Sequence, residues 1–325
     1  MAYIRKKSLL SEKTKAYRFL MDYYSCDMRQ AQKWIDRKRV LVDGKTLESK
    51  NSFISGEIEV ILFEPKSSGL KPVFENDLFA VFDKPSGVLV HPNKLSDEYS
   101  LNDDIKALFG MDANVVHRID KETSGLVLVS KEKIVETELK KLFESRAIKK
   151  EYLALVEGEI SNSFTIDAKL KSNLPSSFIK IKSFVCDDGF DAQTVITPIK
   201  YYNSKDMTLL KASPLTGRTH QIRAHLFHVK HRIVGDPIYG LDELHVDKFL
   251  NKKMEPQERC ALSGADRLML HANFLSFTFR GKEYNIKSNM NFIAIIDQTS
   301  TQQRLKKSAI ARHKFAGATS SFKNL

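Results

Sequence analysis

The sequence lacks the features that mark several common classes of protein. No apolar run approaches the roughly 18 residues of a membrane-spanning helix, and no apolar segment of signal-peptide length follows the basic start MAYIRKKSLL. The three cysteines, Cys26, Cys186 and Cys260, are far apart in the chain and form neither a disulfide framework nor a CxxC metal pair. We therefore expect a cytoplasmic protein with reduced cysteines and no membrane contact.

Cofactor motifs are absent as well. The chain contains no GxGxxG, no Walker loop and no HExxH, which removes the usual support for a nucleotide cofactor or a zinc protease. The sequence does contain enough apolar material for a large core, because 42% of its 325 residues are hydrophobic. This length and composition predict a globular chain of about two domains.

Acidic residues are scarce at the two ends of the chain. Residues 1–66 hold 14 basic and 9 acidic side chains, and residues 298–325 hold 6 basic and none acidic. These ends account for almost all of the net charge of +12. The excess of positive charge favours a polyanionic partner such as RNA, while basic ends that are only solvated tails are the alternative.

The N-terminal region has the pattern of a small α/β module. Apolar side chains recur at partly helical spacing from Thr14 to Tyr24, and a second short helix is expected after Asp27. Short strands are expected around the turn dipeptide Asp43-Gly44. This order resembles the small RNA-binding module first known from a ribosomal protein of the small subunit, except that Lys38 replaces the usual glycine. A helical cap that binds nothing is the alternative.

The rest of the chain predicts one larger α+β domain. This region contains many short β-like runs, among them LFAVF, GVLVHP, GLVLVS, EYLALVEG, FIKIKSF, QTVITPIKYY and FLSFTF, and turn residues separate several adjacent pairs. Helical stretches are fewer, and the clearest are Glu132–Ser145 and the segment after Gly217. We therefore expect a mixed, mostly antiparallel sheet with flanking helices. The predicted division is a basic extension (1–13), the module (14–66), a linker (67–72), the catalytic domain (73–297) and a basic tail (298–325).

The densest group of chemically active side chains is the segment 117–126, HRIDKETSGL, which precedes an apolar strand. It resembles the HRLDxxTSG signature of the RluA-type pseudouridine synthases, with Ile119 in place of leucine. Three further segments agree in order: DKPSG with a later His-Pro (83–92), KEY (150–152) and GRTHQIRAH (217–225). The resemblance covers about residues 70–280, and it departs from the family pattern at Lys230 and Arg232, where glycine and proline are usual.

The resemblance implies an isomerase that converts uridine in structured RNA to pseudouridine without a cofactor. Asp120 would be the catalytic carboxylate, either attacking the anomeric carbon or assisting loss of the base through proton abstraction from the sugar. Either role requires an ionised carboxylate in a pocket that binds an uncharged base, so a cation is expected beside it. By resemblance this cation is Arg223, and the ring of Tyr152 would pack on the target uracil.

Further residues are expected to bind the substrate. Arg118 would occupy the place that the flipped base leaves, and His117 would support it. The resemblance adds five more candidates from the other motifs, namely Lys84, His91, Arg218, His220 and Gln221. A metal site formed by His220, His225, His228 and His231 is an alternative interpretation, but no acidic residue or cysteine lies within that segment to complete it.

The resemblance also indicates the substrate. Family members that carry the N-terminal module usually modify large-subunit ribosomal RNA, which is therefore the expected substrate of a monomeric enzyme. Transfer RNA is the alternative substrate. The alternative from another class is an RNA-binding or ribosome-assembly protein of the same fold that has lost catalysis, although the presence of Asp120, Tyr152 and Arg223 favours the enzyme.

Overall fold

The protein is described here by a computed structural model that covers residues 3–92, 98–173, 177 and 179–296. The predicted basic tail, residues 298–325, lies outside these residues. The chain divides into two compact units, one formed by Met1–Leu70 and His91–Met111 and the other by Lys71–Val90 and Asp112–Leu325. Within the described residues, no helix is long and apolar enough to cross a membrane.

The smaller unit packs two short helices on an antiparallel sheet. Its elements are β1 (Tyr3–Lys15), α1 (Ala16–Tyr24), α2 (Met28–Asp36), β2 (Val40–Val42), β3 (Lys45–Thr46), β4 (Phe53–Phe63) and, later in the chain, α3 (Leu101–Phe109). The strands lie in the order β1-β4-β2-β3. Leu20 of α1 and Trp34 of α2 bury their side chains against Ile58 and Val60 of β4, which forms the core of this unit.

Strand β1 covers most of the segment that the sequence pattern indicated as a basic extension. It pairs antiparallel with β4 from Tyr3 opposite Phe63 to Lys15 opposite Phe53. Most of its side chains are charged or polar and at least partly exposed, so the strand has no apolar alternation that would predict it. Ion pairs across the two strands, such as that between Lys7 and Glu57, accompany the pairing.

Lys38 adopts the backbone conformation that a glycine would favour at its position. Its φ is 56°, in the left-handed region, and its N–H donates to the carbonyl of Ile35 at 2.8 Å. This turn ends α2 and directs the chain into β2. The substitution of lysine for glycine therefore leaves the left-handed turn in place, at the modest cost that a side chain has in this region.

The larger unit is built on a mixed, mostly antiparallel sheet, which confirms the predicted fold class. Its helices are α4 (Lys133–Glu144), α5 (Gln221–His228), α6 (Glu243–Leu250) and α7 (Pro256–Ser263). Its strands are β5 (Pro72–Glu75), β6 (Phe79–Lys84), β7 (Asn114–Val115), β8 (Ser124–Ser130), β9 (Lys149–Glu157), β10 (Phe164–Asp167), β11 (Leu170–Ser172), β12 (Ser183–Val185), β13 (Gln193–Tyr202), β14 (Met207–Pro214), β15 (Leu270–Phe279) and β16 (Lys282–Lys287).

The main sheet of this unit has the order β10-β13-β14-β9-β15-β8-β6-β5, with β16 paired to β15 and β7 to β8. Among the described strands, β15 and β8 run parallel, and the other neighbours are antiparallel. One apolar cluster joins α5, through Ile222 and Leu226, to strands β9 and β14. A second joins α4, through Val135 and Leu139, to β6 and β8. Both helices are thereby anchored to the sheet.

Two of the predicted β-like runs differ from the structure. The run GVLVHP forms no named strand, because the chain turns at Gly87 (φ 81°) and the carbonyls of Pro85 and Val88 converge on the ammonium group of Lys84. Of the run FIKIKSF, residues 178–184, only Ser183 and Phe184 belong to a strand, β12. Before them the N–H of Lys182 donates to the carbonyl of Ile179 at 3.1 Å, which forms a turn in place of a strand.

Candidate active site

The loop that carries Asp120 lies between β7 and β8 and is held by the DKPSG segment. Lys84 donates from Nζ to the carbonyl of Lys121 at 3.0 Å, and the N–H of Gly87 donates to the same carbonyl at 2.9 Å. The hydroxyl of Ser86 donates to the carbonyl of Glu122 at 2.6 Å. Two motifs that are about thirty residues apart therefore form one structural unit around Asp120.

Gly125, at the start of β8, explains why the motif needs a glycine after its serine. Its φ is +111°, and a Cβ at this position would lie 2.3 Å from the carbonyl oxygen of Ala272 in β15. The neighbouring Ser124 is fully buried and contacts Nδ1 of His271 at 2.9 Å. The close approach of β8 to β15 thus fixes the end of the Asp120 loop.

Arg223 on α5 is the cation beside Asp120. Its Nη1 donates to Oδ2 of Asp120 at 3.2 Å, and its side chain is only 2% exposed, whereas that of Asp120 is 26% exposed. The carboxylate can therefore meet a ligand on one side while its other side contacts the buried guanidinium. This contact brings together two residues that are 103 positions apart in the chain.

A second carboxylate, Asp236, fixes the plane of that guanidinium. Nε and Nη2 of Arg223 each donate to an oxygen of Asp236 at 2.8 Å, and the Asp236 side chain is 1% exposed. Its Oδ1 also accepts from the N–H groups of Ile238 at 2.9 Å and Tyr239 at 3.0 Å. Because both of these guanidinium nitrogens are engaged, Nη1 is left to point at Asp120.

The buried pair is held in its charged form. Burial by itself would lower the pKa of Arg223, but the negative charges of Asp236 and Asp120 outweigh it and raise that pKa. For Asp236, burial would raise the pKa, and the Arg223 guanidinium lowers it below its usual range. Both groups are therefore ionised at neutral pH, and Arg223 remains a permanent donor to Asp120.

His220 and Tyr152 complete the surroundings of Asp120. Nε2 of His220 lies 3.8 Å from Oδ2 of Asp120, and burial lowers the pKa of this histidine to about 4, so it is neutral. Tyr152 lies on β9, and the residues opposite it on the two neighbouring strands are Ala212 and Ala272. Burial, followed by the negative charge of Asp120, raises the pKa of Tyr152, so its hydroxyl keeps its proton.

Comparison with known proteins places this arrangement in a family. The family described as RNA pseudouridylate synthase matches residues 78–228, which include Asp120, Tyr152 and Arg223. An uncharacterized RNA pseudouridine synthase of Helicobacter pylori is 37% identical over 292 residues, which are 89% of this chain and 97% of the relative. The chain belongs to the RNA pseudouridine synthase family. The predicted family and its isomerase activity are thereby confirmed.

Two other similar proteins agree with this assignment. Ribosomal large subunit pseudouridine synthase D of Xanthomonas campestris is 34% identical over 260 residues, which are 75% of this chain and 75% of the relative. The solved structure of human RNA Pseudouridylate Synthase Domain Containing 1 superimposes with a TM-score of 0.57 at 24% identity and covers 73% of this chain and 90% of its own. At that identity the structural likeness shows a shared fold.

Three of the residues predicted to bind the substrate of the synthase use their polar side-chain atoms in hydrogen bonds within the protein. His117 accepts the N–H of Leu128 on Nε2 at 3.0 Å, and burial lowers its pKa to about 3. The ammonium group of Lys84 is matched by three backbone carbonyls. Gln221 accepts from Thr216 at 2.7 Å and donates to the carbonyl of Gln193 at 2.9 Å. These side chains shape the loops around the site.

The two predicted arginines, by contrast, lie at the surface. Arg118 is exposed and makes no hydrogen bond or ion pair within the described part of the chain. Arg218 is also exposed, stacks over the ring of Phe190 at 5.2 Å and donates from Nε to the carbonyl of Asp191 at 3.1 Å. His91 is partly buried and belongs to the smaller unit.

Two residues that contact Arg223 of the synthase, Asp236 and a neighbouring tyrosine, were not predicted from the sequence. Tyr239 lies with its ring 5.2 Å from the guanidinium carbon of Arg223, and its hydroxyl donates to the carbonyl of Ser183 at 3.0 Å. Both residues occur in the short segment GDPIYG, residues 235–240. An aspartate and a tyrosine between two glycines of positive φ are a local signal that could have identified this loop.

Arg259 connects the Asp120 loop to the Asp236 loop at a second place. Its Nη2 lies 2.8 Å from Oε2 of Glu122, and both side chains are 12% exposed. The same nitrogen donates to the carbonyl of Gly235 at 3.1 Å. Glu122 follows Asp120 by two residues and Gly235 directly precedes Asp236, so the two carboxylates that share Arg223 lie on loops that are also joined through Arg259.

The four histidines that suggested a metal site have different surroundings. His225 contacts the hydroxyl of Thr194 through Nδ1 and the carbonyl of Ala168 through Nε2, each at 2.9 Å, whereas His231 contacts the carbonyl of Glu157 at 2.8 Å. Among the described residues, no group of three or more His, Cys, Asp or Glu side chains is arranged to hold a metal ion.

Proposed function

We propose that this synthase isomerises specific uridines of large-subunit ribosomal RNA, with Asp120 as the catalytic carboxylate. The observation that carries the proposal is the Asp120–Arg223–Asp236 chain, in which a partly exposed carboxylate contacts a fully buried arginine at 3.2 Å. The choice of ribosomal RNA is supported by the relative from Xanthomonas campestris, which is a ribosomal large subunit pseudouridine synthase.

The reaction breaks the glycosidic carbon–nitrogen bond of uridine and forms a carbon–carbon bond between the same base and sugar, so no atom enters or leaves. Asp120 would act on the sugar, either as a nucleophile at the anomeric carbon or as a base that assists loss of uracil. Arg223 holds the carboxylate in a fixed orientation for either route. The preformed contact means that little reorganisation is needed when RNA binds.

Tyr152 would hold the target base. The residues directly opposite it on the neighbouring strands are alanines, and its raised pKa keeps the hydroxyl protonated. It would thus stack on uracil and offer a hydrogen bond, while direct proton removal by a phenolate is disfavoured. Exposed Arg118, two residues before Asp120, has no hydrogen-bond or ion-pair partner among the described residues, so its guanidinium would fill the space of a flipped nucleotide.

The smaller unit would add affinity for the RNA backbone. A surface cavity of about 620 Å³ lies along α2, and its lining includes four basic side chains, those of Arg29, Lys33, Arg37 and Lys50. Basic side chains on one face of a helix have the charge and spacing to contact phosphates. This surface supports a role in RNA binding for the N-terminal module.

The test is a comparison of RNA from cells that lack the protein and from cells that carry it, with pseudouridine-specific chemical labelling. Wild type should restore labelling at defined positions of large-subunit ribosomal RNA. Asp120→Asn should restore none while keeping RNA affinity within a few-fold, because the substitution removes the charge and barely changes the volume. Asp112→Asn, an exposed aspartate of the same unit, is the matched control.

Two results would contradict the proposal in different ways. Labelling that is restored only in transfer RNA would show that the substrate is transfer RNA, and the proposed role of Asp120 would stand. Turnover by the verified pure Asp120→Asn variant would show that Asp120 is not the catalytic carboxylate.

A further inference from the structure

A second recess of the larger unit lies between β12 and α5, apart from the Asp120–Arg223 contact. Its volume is about 260 Å³, and its lining includes three aromatic rings, those of Phe184, Phe227 and Tyr239, with Lys182 and Lys230 at their side. We name this recess the β12–α5 pocket. Rings and cations in one small space are the two features that bind a nucleotide, through its base and its phosphate.

Helix α5 contributes to this pocket and to the Asp120 site through different side chains. Arg223 points to Asp120, whereas Ala224, Phe227 and His228 line the pocket, and their spacing of three and four residues places them on one face of the helix. Tyr239 lies between the two places, with its ring 5.2 Å from the guanidinium carbon of Arg223 and 5.8 Å from the Phe227 ring. The pocket is therefore a direct neighbour of the site.

Lys182 is the central cation of the pocket. Its Nζ lies 5.5 Å from the ring centroid of Phe184, 5.9 Å from that of Phe227 and 5.4 Å from that of Tyr239. Within the described residues its ammonium group has no hydrogen-bond or ion-pair partner, and burial lowers its pKa. A half-buried cation that no carboxylate contacts is available to an incoming anion.

Lys230 adds a second cation where the backbone would favour glycine. Its φ is +71°, its side chain is exposed, and its N–H donates to the carbonyl of Phe227 at 3.1 Å. Phe227 itself exposes 40% of its surface. The turn therefore places an exposed ring and a lysine side by side, at the modest strain that a side chain has in the left-handed region.

We propose that the β12–α5 pocket binds one nucleotide of the RNA strand next to the target uridine, with its base on the Phe227 ring and its phosphate near Lys182 and Lys230. The inference rests on the proposed function, because it names a second contact of the same RNA. The occupant is a single-stranded nucleotide, since paired bases are stacked on their neighbours and cannot offer a face to a protein ring.

The binding test uses a fluorescent oligouridylate of about ten nucleotides, a length within the range that single-stranded sites contact. Phe227→Ala should weaken binding about 5- to 100-fold, as expected for the loss of one base–ring stack. Lys182→Met should flatten the dependence of log Kd on log salt concentration by about 0.7, the value for one lost phosphate contact on a single strand. Ile134→Ala and Lys141→Met, both exposed on α4, are the matched apolar and charge controls and should behave as wild type.

A second measurement uses the wild-type protein, so its result does not depend on whether a variant folds. The oligouridylate with one photoreactive 4-thiouridine is irradiated on wild type, and the peptides that carry the adduct are identified by mass spectrometry. The proposal expects adducts on the peptides with Phe184 or Phe227.

The outcomes separate this inference from the proposed function. If wild type converts no ribosomal RNA but the oligouridylate still crosslinks to the pocket, the substrate assignment fails and the pocket assignment stands. If both pocket variants bind with unchanged affinity and salt slope, or if all adducts lie outside β12 and α5, the pocket does not bind a nucleotide.

Discussion

The ion pairs on β1 of the smaller unit and the Arg223–Asp236 pair of the larger unit differ in their exposure to water. In the smaller unit, the ion pairs of β1 lie at the surface: the side chains of Lys6 and Glu64 are 48% and 51% exposed, and those of Lys7 and Glu57 are 58% and 54% exposed. In the larger unit, Arg223 and Asp236 are 2% and 1% exposed. The first set of charges remains in contact with water, and the second set is removed from it.

This difference shows which charges can act on a partner and which act on the protein itself. An exposed pair contributes little to stability and stays available to other ions. A buried pair is costly to form and very costly to break, so it holds its members in one geometry. In the larger unit that geometry is directed at Asp120, whereas the β1 ion pairs of the smaller unit stay in contact with water.

Asp236→Asn should have the largest effect. The substitution leaves the buried Arg223 without its main counter-charge, and removal of one partner of a buried pair costs about 3–5 kcal/mol. Urea denaturation should show that loss, and turnover should fall because Nη1 of Arg223 is no longer aimed at Asp120. The control Asp112→Asn should match wild type in both assays. Wild-type stability in Asp236→Asn would show that the buried pair does not organise the site.

Arg259→Met should have a smaller effect of the same kind. It leaves the carboxylate of Glu122 and the carbonyl of Gly235 without a donor, and an unsatisfied buried acceptor costs about 1–3 kcal/mol. The double variant Arg259→Met with Glu122→Gln should recover part of this loss, because no carboxylate is then left unpaired. Strictly additive losses in urea denaturation would mean that the two residues do not interact.

The lowered pKa of His117 predicts how the free energy of unfolding depends on pH. Its pKa is lowered to about 3 in the folded protein, whereas an unfolded histidine titrates near pH 6.5, so the unfolded state binds a proton that the folded state does not. Stability should therefore be lost as pH falls below about 6.5, by up to about 1.4 kcal/mol per pH unit for this group. His117→Gln, which retains an acceptor for the N–H of Leu128, should reduce that slope. An unchanged slope between about pH 7 and pH 5 would contradict this origin.

Lys7→Ala should have the smallest effect. Lys7 and Glu57 remain largely hydrated, so the loss of their ion pair should leave the denaturation midpoint unchanged within error at moderate salt. Urea denaturation at low and high salt tests this. A clear loss of stability in Lys7→Ala at high salt would contradict this difference from the Arg223–Asp236 pair. At high salt, screening should already have removed the contribution of an exposed pair.

The sequence by itself was sufficient for the fold class and the family, and it selected two of the residues that meet at the site, Asp120 and Arg223. Motifs are local, so HRIDKETSG and GRTHQIRAH could be read as written, and Arg223 lies at 3.2 Å from Asp120. The strands with clear apolar patterns, such as Gln193–Tyr202, also occur with the expected bounds. Strand β1 was not predicted, because most of its side chains are charged or polar and at least partly exposed, so it shows no apolar periodicity.

Only the tertiary structure decided what each motif residue does. Lys84, His117 and Gln221 have the residue types of RNA ligands, but burial and nearby carbonyl or N–H groups engage their polar atoms inside the protein. Asp236 was not selected because its role depends on Arg223, thirteen residues away in the chain. Residue type determines which hydrogen bonds a side chain can make, whereas the partners that it meets depend on how distant segments pack.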